Sequence, residues 1–395
     1  MSPRPQRICV VTGSRAEYGL LYWIIKGLQA MPAIDMRLVV TGMHLAPAFG
    51  STWRQIESDG IPIARKVETL LSSDSDVGMA KSVGLGVLGF ADAFQDLAPD
   101  LVLLLGDRVE ILAAAQSAYL MGLPVAHLHG GEVTRGAIDD AIRHCITKVS
   151  RYHFVSTAEA AARVRQLGED PAAIFVTGAP GLDNVNRLSL PNREELSDEI
   201  GFALDAPYVL VTYHSATAHH ADHDAAGPLL TALDRFPECK VLLTKANSDA
   251  GGLRINAALD DYAARHPGRV HVVSSLGQRR YLSAMKHCAA VIGNSSSGLF
   301  EAPLLKRPTV NIGDRQEGRL HAASVVSCAD DAKSITAAIA TVLAPAFQKV
   351  LDATVSLYGD GRSSDAVLTL LARLVATGER PPPKSFCDLP SCRDE

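Results

Sequence analysis

The sequence predicts an α/β protein with two Rossmann-like, doubly wound domains and a central cleft between them. Short β-branched runs alternate with longer helical patterns along almost the whole chain, and this alternation is typical of βαβ units. The run LVLLL at 101–105 is apolar on both faces, as in a parallel strand that helices cover on both sides. The length of 395 residues exceeds one ordinary hydrophobic core and suits two domains.

The first half of the chain predicts an N-terminal domain over residues 1–190. Strands are expected at 8–12, 36–41, 101–106, 125–128, 153–156 and 174–178. Helices are expected at 20–30, 91–97, 109–121 and 158–167. The polar stretch around 190–194 indicates a linker.

The second half predicts a C-terminal domain over residues 191–362. Strands are expected at 208–212, 241–245, 270–273, 290–293 and 309–312, each followed by a helix. A last helix at 363–378 is expected to cross back onto the first domain. The tail at 379–395 is rich in proline and charge, so it is expected to be disordered.

Composition excludes several classes of protein. The net charge is −5 with both signs mixed, which argues against non-specific nucleic-acid binding. The seven cysteines are scattered and form no C-x-x-C pair, so neither a structural zinc site nor a disulfide framework is expected. There is no apolar signal-peptide core and no run of about 18 apolar residues to span a membrane. The expected location is therefore the cytoplasm.

Two polar stretches follow predicted strands in the first domain. GSRAEYG at 13–19 comes after the first strand, where Arg15 could hold a phosphate bidentately or form an ion pair with Glu17. Asp107 and Arg108 follow the most apolar strand of the chain. Asp107 there could act as a base or acid, or it could cap the next helix.

The stretches HLHGGE at 127–132 and DDAIRH at 139–144 carry further candidates. His127 and His129 share a strand face, so a metal pair is conceivable, but without a third ligand a ligand-facing His129 is favoured. The acids Asp139 and Asp140 suit capping and dipole compensation or, with the basic pair Arg143 and His144, a catalytic rim near His129 and Glu132. The pattern GLGVLG at 84–89 follows no strand, so its glycines are expected to allow close helix packing rather than cofactor binding.

The second domain offers a candidate anion site. VIGNSSSGLFEAP at 291–303 is an apolar strand, a turn of small residues and a helix start, which favours a bound diphosphate, and Glu301 is placed to accept hydrogen bonds from a ribose diol. His214 ends an earlier strand and suits a proton shuttle, or is a lone structural histidine. The histidine-rich tract at 219–223 resembles a metal site, but a solvated loop is favoured.

Taken together, these stretches resemble the UDP-N-acetylglucosamine 2-epimerase superfamily, most closely its hydrolysing branch in nonulosonic (sialic and legionaminic) acid biosynthesis. The resemblance covers about residues 7–376. The motifs that carry it are GSRAEY at 13–18, GDR at 106–108, HGGE at 129–132, IDDAIRH at 138–144, GNSSSG at 293–298, GDRQEGR at 313–319 and YGDG at 358–361.

The resemblance implies a glycosyltransferase-B-like fold that binds a UDP-sugar, acts without cofactor or metal, and often forms a homodimer. A base would remove the C2 proton while UDP leaves C1, water would add to the resulting glycal, and the free 2-epimer and UDP would be released. The implied catalytic groups are Asp107, Asp139, His214, Glu132 and His129. The implied substrate-binding and UDP-binding groups are Arg15, Arg108, Ser295, Ser296, Ser297, Gly298, Glu301, Arg315 and Arg319.

One position departs from the sialic-acid branch, whose members carry glutamate where this chain has His129. The expected substrate is therefore either UDP-N-acetylglucosamine or UDP-2,4-diacetamido-2,4,6-trideoxyglucose, and Glu132 could share the role of the missing glutamate. Three alternatives stay open: a non-hydrolysing epimerase that returns the intact UDP-sugar, a glycosyltransferase of the same architecture, and a nucleotide-sugar sensor without catalysis.

Overall fold

A computed structural model describes residues 4–71, 75–134, 138–214, 226–246, 252–376, 381–382 and 384–389. The chain divides into two compact units, each with its own parallel sheet. Unit 1 is Met1–Asp183 with Tyr358–Glu395, and unit 2 is Asn184–Leu357. The two doubly wound domains are thereby confirmed, and the cleft between them stays a prediction.

Unit 1 contains a sheet of seven parallel strands in the order β3-β2-β1-β4-β5-β6-β7. The strands are β1 Gln6–Thr12, β2 Ile34–Thr41, β3 Ile63–Val67, β4 Leu101–Leu105, β5 Val125–Leu128, β6 Tyr152–Val155 and β7 Ile174–Val176. The helices are α1 Arg15–Gln29, α2 Trp53–Ser58, α3 Asp76–Leu97, α4 Val109–Leu120, α5 Ile138–Val149 and α6 Ala158–Gln166. Successive residues of β4 enter core clusters on opposite faces of the sheet, which explains why this strand is apolar throughout.

Unit 2 contains six parallel strands in the order β10-β9-β8-β11-β12-β13. They are β8 Tyr208–Thr212, β9 Lys240–Thr244, β10 Val270–Val273, β11 Ala290–Gly293, β12 Thr309–Ile312 and β13 Val325–Cys328. The helices are α7 Asp183–Arg187, which crosses the unit boundary, α8 Arg193–Ile200, α9 Gly227–Leu233, α10 Gly252–Arg265, α11 Gly277–His287, α12 Ser297–Leu304, α13 Ala332–Leu343 and α14 Gln348–Ala353. In both sheets the strand order reverses beside the first strand, which is where α/β folds of this type bind ligands.

Two strands were not predicted, and both lie at sheet edges. β3 has the sequence IARKV, with two exposed charged residues at its centre, and β13 is only partly buried. Edge strands contact a neighbour on one side only, so they lack the apolar runs that identify central strands. Because β13 follows β12, the expectation of a helix directly after 309–312 is wrong.

The polar stretch at 190–194 does not divide the two units. Asn192 caps α8 inside unit 2, where its side chain accepts hydrogen bonds from Glu194 N and Glu195 N. The chain passes from unit 1 to unit 2 between residues 183 and 184, and it returns between residues 357 and 358. The expected boundaries were 190/191 and 362/363. A capping sequence is polar for a local reason, and so it resembles a linker.

The glycine pattern at 84–89 lies inside α3 and serves helix packing, as expected. A Cβ on Gly86 would lie 2.8 Å from Ala113 Cβ of α4, and one on Gly89 would lie 2.7 Å from Val67 Cγ1 of β3. Among the described residues, α3 also has the length and composition of a membrane span, as does the bent pair α13 and α14. Charged residues interrupt α3, and the helix packs against α4 within unit 1.

The last helix, α15 (Ser363–Val375), belongs to unit 1, where its apolar face joins the core beside α1. The return of the chain is fixed by Asp183, whose carboxylate accepts hydrogen bonds from Ser363 N (2.8 Å) and Ser364 N (2.7 Å). Ser363 Oγ donates to Gly178 O at 2.9 Å. These bonds satisfy backbone N–H groups at the start of α15.

The described part of the tail contacts unit 1, so the expectation of disorder is wrong there. Lys384 Nζ donates to Lys148 O (2.6 Å) and Ser150 O (2.7 Å) at the end of α5, and it pairs with the buried Glu169. The ring of Phe386 covers Gly168. An ammonium at a helix C-terminus and a buried ion pair hold a segment whose composition alone suggests disorder.

The described cysteines are all free, and the described residues contain no cluster of three metal-binding side chains. His219, His220, Asp222 and His223 lie outside the described residues.

Candidate active site

The turn after β1 is closed by a capping box. Ser14 Oγ accepts a hydrogen bond from Glu17 N (3.3 Å), while Glu17 Oε2 accepts from Gly13 N (2.7 Å) and Ser14 N (3.2 Å). Arg15 begins α1, is exposed, and makes no hydrogen bond or ion pair with the residues that the structure describes. The alternative of an Arg15–Glu17 ion pair is therefore wrong, and Arg15 lies at a helix N-terminus open to an anion.

A pair of buried glutamates lies behind this turn. Arg108 Nε donates to Glu110 Oε1 at 2.7 Å and lies 3.9 Å from Glu17 Oε1. A Cβ on Gly13 would lie 2.5 Å from Glu110 Oε1, and one on Gly42 would lie 2.9 Å from it, so a side chain at either position would displace the Glu110 carboxylate. Burial and the charge of Glu110 raise the pKa of Glu17 to about 8. The sequence analysis missed Glu110, for which the available signal was an acid in the first turn of an otherwise apolar helix.

Asp107, at the end of β4, pairs with Arg143 of α5. Arg143 Nη1 also donates to Glu132 O at 2.8 Å, and Arg143 Nη2 donates to Thr134 Oγ1 at 2.9 Å. Arg108, not Asp107, is the N-cap residue of α4, so the capping alternative for Asp107 is wrong. The sequence indicated Arg143 only as part of a possible catalytic rim, and in the structure its buried guanidinium joins the ends of β4 and β5.

His129 follows β5 and forms an ion pair with Glu132, with 2.5 Å between His129 Nδ1 and Glu132 Oε1. Ser156 Oγ donates to the same carboxylate oxygen at 2.8 Å. Burial alone would lower the pKa of His129, but the charge and hydrogen bond of Glu132 raise it above the usual value. Burial opposes ionisation of Glu132 as well, yet His129 lowers the pKa of Glu132 to about 2.

The backbone of His129 is left-handed, with φ +65°, which is uncommon outside glycine. Its Nε2 is buried and has no hydrogen-bond partner among the described residues. A side chain whose first nitrogen is fixed and whose second is unpaired is suited to exchange a proton with a ligand.

His127 has a structural role. Its Nε2 lies 2.7 Å from Gly106 O and its Nδ1 lies 3.3 Å from Thr147 Oγ1, inside the core. Burial lowers the pKa of His127 to about 3, so the ring is neutral. Both nitrogens have partners, and the alternative of a metal pair with His129 is not supported.

Asp139 and Asp140 begin α5 beside this network. Asp140 Oδ1 accepts from Thr134 N at 2.7 Å and lies 3.5 Å from Arg143 Nη1, which stabilises the loop. Asp139 is partly buried, and this burial together with the charge of Asp107 raises the pKa of Asp139. A carboxylate with a raised pKa is a stronger base than a free one.

In unit 2, Asn294 joins the ends of β8 and β11. Its side chain accepts from His214 N and donates to His214 O, both at 2.8 Å. Gly293 precedes it with φ +138°, and a Cβ there would lie 1.9 Å from Thr212 O. Asn294 therefore fixes the backbone of His214 beside residues 295–297, here called the serine turn, and this role was not predicted from the sequence.

The serine turn leads into α12. Ser297 Oγ donates to Ser295 Oγ at 3.1 Å and lies 2.7 Å from Tyr281 OH. Ser296 is the N-cap residue but makes no side-chain cap bond, and Gly298 packs against Thr309. The hydroxyl groups of the turn are thus ordered mainly by one another and by Tyr281.

The remaining candidates of unit 2 lie on α12 and after β12. Burial raises the pKa of Glu301 to about 7. Arg315 Nη1 donates to Asn294 O at 3.2 Å, as does Gln316 Nε2 at 2.7 Å. Arg319 Nη1 donates to Gln316 Oε1 at 2.8 Å, and its guanidinium lies over the ring of Phe300. Arg315 and Arg319 are therefore connected to the serine turn through Asn294 and Gln316.

The family described as UDP-N-acetylglucosamine 2-epimerase matches residues 26–372. Two relatives have names that state a hydrolysing activity. The GDP/UDP-N,N'-diacetylbacillosamine 2-epimerase (hydrolyzing) of Campylobacter jejuni is 39% identical over 322 residues, 81% of this chain and 84% of that protein. The UDP-N,N'-diacetylbacillosamine 2-epimerase (hydrolyzing) of Legionella pneumophila is 34% identical over 366 residues, 93% of this chain and 95% of that protein.

Solved structures share the fold at low sequence identity. The UDP-GlcNAc 2-epimerase of Neisseria meningitidis, bound to UDP-GlcNAc, matches with a TM-score of 0.75 and 18% identity over 93% of this chain and 100% of that one. The putative UDP-N-acetylglucosamine 2-epimerase of Listeria monocytogenes matches with a TM-score of 0.76 and 16% identity over 97% and 100%.

Proposed function

The chain belongs to the UDP-N-acetylglucosamine 2-epimerase family, and from this premise we propose that it hydrolyses a UDP-sugar to UDP and the free sugar inverted at C2. The observation that carries the proposal is the network of unit 1, in which Arg143 joins Asp107 to the His129–Glu132 pair. It places a cation and several titratable groups with shifted pKa values at the carboxyl ends of neighbouring parallel strands.

The first step is elimination, with Asp139 as the proposed base. Its carboxylate removes the proton on C2, the electron pair of that bond forms the C1=C2 double bond, and the C1–O bond breaks with its electrons leaving on UDP. Asp139 is the better base of the two aspartates because the charge of Asp107 raises its pKa, whereas Arg143 compensates the charge of Asp107. A positioned base of this kind contributes about 10²–10⁴-fold to a rate.

The second step is hydration, with His129 as the proposed proton donor. The oxygen of water bonds to C1 while Nε2 of His129 delivers a proton to C2, on the face opposite to Asp139. The second proton of the water returns to the imidazole, and Asp139 releases its proton to solvent. Glu132 keeps His129 charged and oriented before the transfer.

We assign binding of uridine diphosphate to unit 2. The small residues 293–298 allow backbone N–H groups to approach phosphate oxygens, and the N-terminus of α12 favours an anion. Arg315 and Arg319 supply positive charge, Glu301 accepts from the ribose, and His214 stabilises charge on the leaving group. Arg15 and Arg108 of unit 1 complete the set of groups assigned to the substrate.

The preferred substrate is UDP-2,4-diacetamido-2,4,6-trideoxyglucose, which is UDP-N,N'-diacetylbacillosamine, rather than UDP-N-acetylglucosamine. The names of the Campylobacter and Legionella relatives support this choice. It also agrees with His129 replacing the glutamate of the sialic-acid branch.

The test is incubation with each UDP-sugar in D₂O. We expect release of UDP and a free 2-epimer that carries deuterium at C2. An intact UDP-sugar with inverted C2 would indicate the non-hydrolysing epimerase, and a free sugar without deuterium would refute elimination. Transfer to an acceptor with C2 hydrogen retained would indicate a glycosyltransferase, while binding without turnover would indicate a sensor.

We further propose a cytoplasmic homodimer that forms through the outer faces of α3 and α4. Leu88 is 68% exposed and Leu120 is 78% exposed, and Val77, Leu85 and Tyr119 add to the apolar surface. Exposed apolar surface of this extent on two helices that pack together supports a protein partner, and a second copy is the simplest one.

A further inference from the structure

Unit 1 contains a pocket of which the proposed reaction has so far used only Arg108. It lies between the loop after β2, the segment after β3 and the start of α3, and has a volume of about 770 Å³. An adjoining pocket of about 270 Å³ shares its wall. We call the two together the side pocket, and the large apolar side chains of its lining include Met43, Leu45, Phe49, Leu70, Leu71 and Met79.

The walls of the side pocket are fixed by buried hydrogen bonds. His44 in the first loop lies 3.1 Å from Thr12 Oγ1 and 2.7 Å from Thr52 Oγ1 through its two nitrogens. Ser82 Oγ of α3 accepts from Leu71 N at 3.2 Å and donates to Gly78 O at 2.9 Å. A pocket whose walls are ordered in advance binds a ligand at a lower entropic cost.

Arg108 provides the polar end of the side pocket and its connection to the candidate site. Its Nε binds Glu110 and its Nη2 contacts Met43 Sδ at 3.3 Å, whereas Nη1 has no hydrogen bond to any described residue. Arg108 follows Asp107 in the chain and interacts electrostatically with Asp139. The side pocket has three acidic lining residues among those described. Glu110 is buried, whereas Glu68 and Asp76 are exposed.

We propose that the side pocket binds the substituents at C4 and C6 of the substrate sugar and so selects a 2,4-diacetamido-2,4,6-trideoxy sugar. This inference rests on the proposed function and adds the residues that determine specificity. Arg108 Nη1 donates to the carbonyl oxygen of the C4 acetamido group. The acetamido methyl and the C6 methyl contact Leu70, Met79 and Phe49.

The chemistry of the two sugars explains the selection. UDP-N-acetylglucosamine has hydroxyl groups at C4 and C6, and an apolar wall offers no partner to replace the water that these groups would lose. The trideoxy sugar instead presents the C6 methyl and a C4 acetamido group, whose methyl matches the apolar wall and whose carbonyl oxygen matches the Nη1 donor of Arg108. One apolar contact of this kind discriminates by about 10–200-fold.

The test measures calorimetric Kd and kcat/KM for both UDP-sugars in the wild type, Leu70→Asn and Met79→Gln. We expect the wild type to prefer the diacetamido sugar and each variant to lower this preference about tenfold or more. The Kd of UDP alone should stay within about twofold. The control is Leu253→Asn, the same substitution at an exposed leucine of α10 in unit 2, which should leave all values unchanged.

Two substitutions are used because either could disturb folding, and unchanged thermal melting identifies a folded variant. An unchanged preference, equal losses for both sugars, or a loss of UDP affinity would overturn the inference. Selective binding without hydrolysis would support the side pocket and refute the proposed function. Hydrolysis of both sugars without preference would support the proposed function and refute the side pocket. Binding of neither sugar would refute the side pocket and the proposed function together.

Discussion

His129 combines two features that rarely occur together outside functional sites. Its backbone is left-handed, and its ring is held by a buried ion pair with Glu132 while Nε2 has no partner among the described residues. Strain of this kind persists only where the surroundings fix it. Both features support the proposed role of His129 in proton transfer.

The charge of His129 gives a pH prediction. The pKa of His129 is raised, so its imidazolium form persists at pH values where a free histidine is already neutral. This charge is lost as the pH rises through the raised pKa. Since the charged form is the proposed donor, kcat should fall on the alkaline side. Glu132→Gln removes the carboxylate that raises this pKa, so the falling limb should move to lower pH. The measurement is the pH profile of kcat.

Ser156→Ala is the matched control for Glu132→Gln. It removes a hydrogen bond to the same carboxylate but leaves the ion pair, so the alkaline limb should move much less. A limb that does not move in Glu132→Gln would contradict the role of His129 as donor.

Asp139 gives a kinetic prediction. Asp139→Asn removes the proposed base but no contact assigned to UDP, so kcat should fall about 10²–10⁴-fold while the Kd of UDP stays within about twofold. Steady-state kinetics and calorimetry measure the two quantities. Glu301→Ala is the opposite control and should mainly weaken UDP. Parallel losses of kcat and UDP affinity in Asp139→Asn would contradict the assignment.

At the scale of elements, α5 connects the candidate site to the C-terminal tail. Asp139, Asp140 and Arg143 lie in its first turns, and Lys384 binds the carbonyl groups at its other end. Lys384 also pairs with Glu169, which contacts the buried ring of His153 at 3.0 Å. A tail segment thus stabilises the helix that carries the proposed base.

Lys384→Met tests this connection. The change keeps the aliphatic stem but removes the charge that caps α5 and neutralises Glu169, so the free energy of unfolding should fall by about 1–3 kcal/mol. Urea unfolding measures the change. Lys349→Met, at an exposed lysine of α14, is the control and should lie within about 0.5 kcal/mol of the wild type. Equal stability of both variants would mean that the tail contact contributes nothing.

Central strands and edge strands differed in how well the sequence predicted them. The central strands β5, β8, β11 and β12 are buried along their whole length and were predicted with the observed bounds. β3 and β13 were not predicted because exposed polar side chains interrupt their apolar pattern. Apolar patterns in a sequence report burial, so elements with an exposed side are harder to predict from the sequence.

At the scale of the whole molecule, the exposed faces of α3 and α4 give a prediction on assembly. Leu88→Glu places a charge in the centre of the proposed interface, where burial without a partner is costly, so the dimer should dissociate to monomers. Light scattering coupled to size exclusion measures the mass. Leu253→Glu is the control on unit 2 and should leave the mass unchanged. A wild-type mass of one chain would refute the homodimer.

The sequence by itself determined the class of the fold and where polar groups are found. Parallel strands that are buried on both faces must be apolar, so each strand end stands out where polar residues begin, and Asp107, His129 and His214 were identified in this way. Several of the family motifs, such as GDR at 106–108, HGGE at 129–132 and GNSSSG at 293–298, also lie at the ends of strands.

Only the tertiary structure decided which side chains meet. Arg143 pairs with Asp107 across 36 positions of the chain, and Asn294 binds the backbone of His214 across 80. Such pairs depend on strand order and register, which follow from the packing of whole elements and are not encoded in local periodicity. For this reason the candidates were found from the sequence, but their charges, partners and separate roles were not.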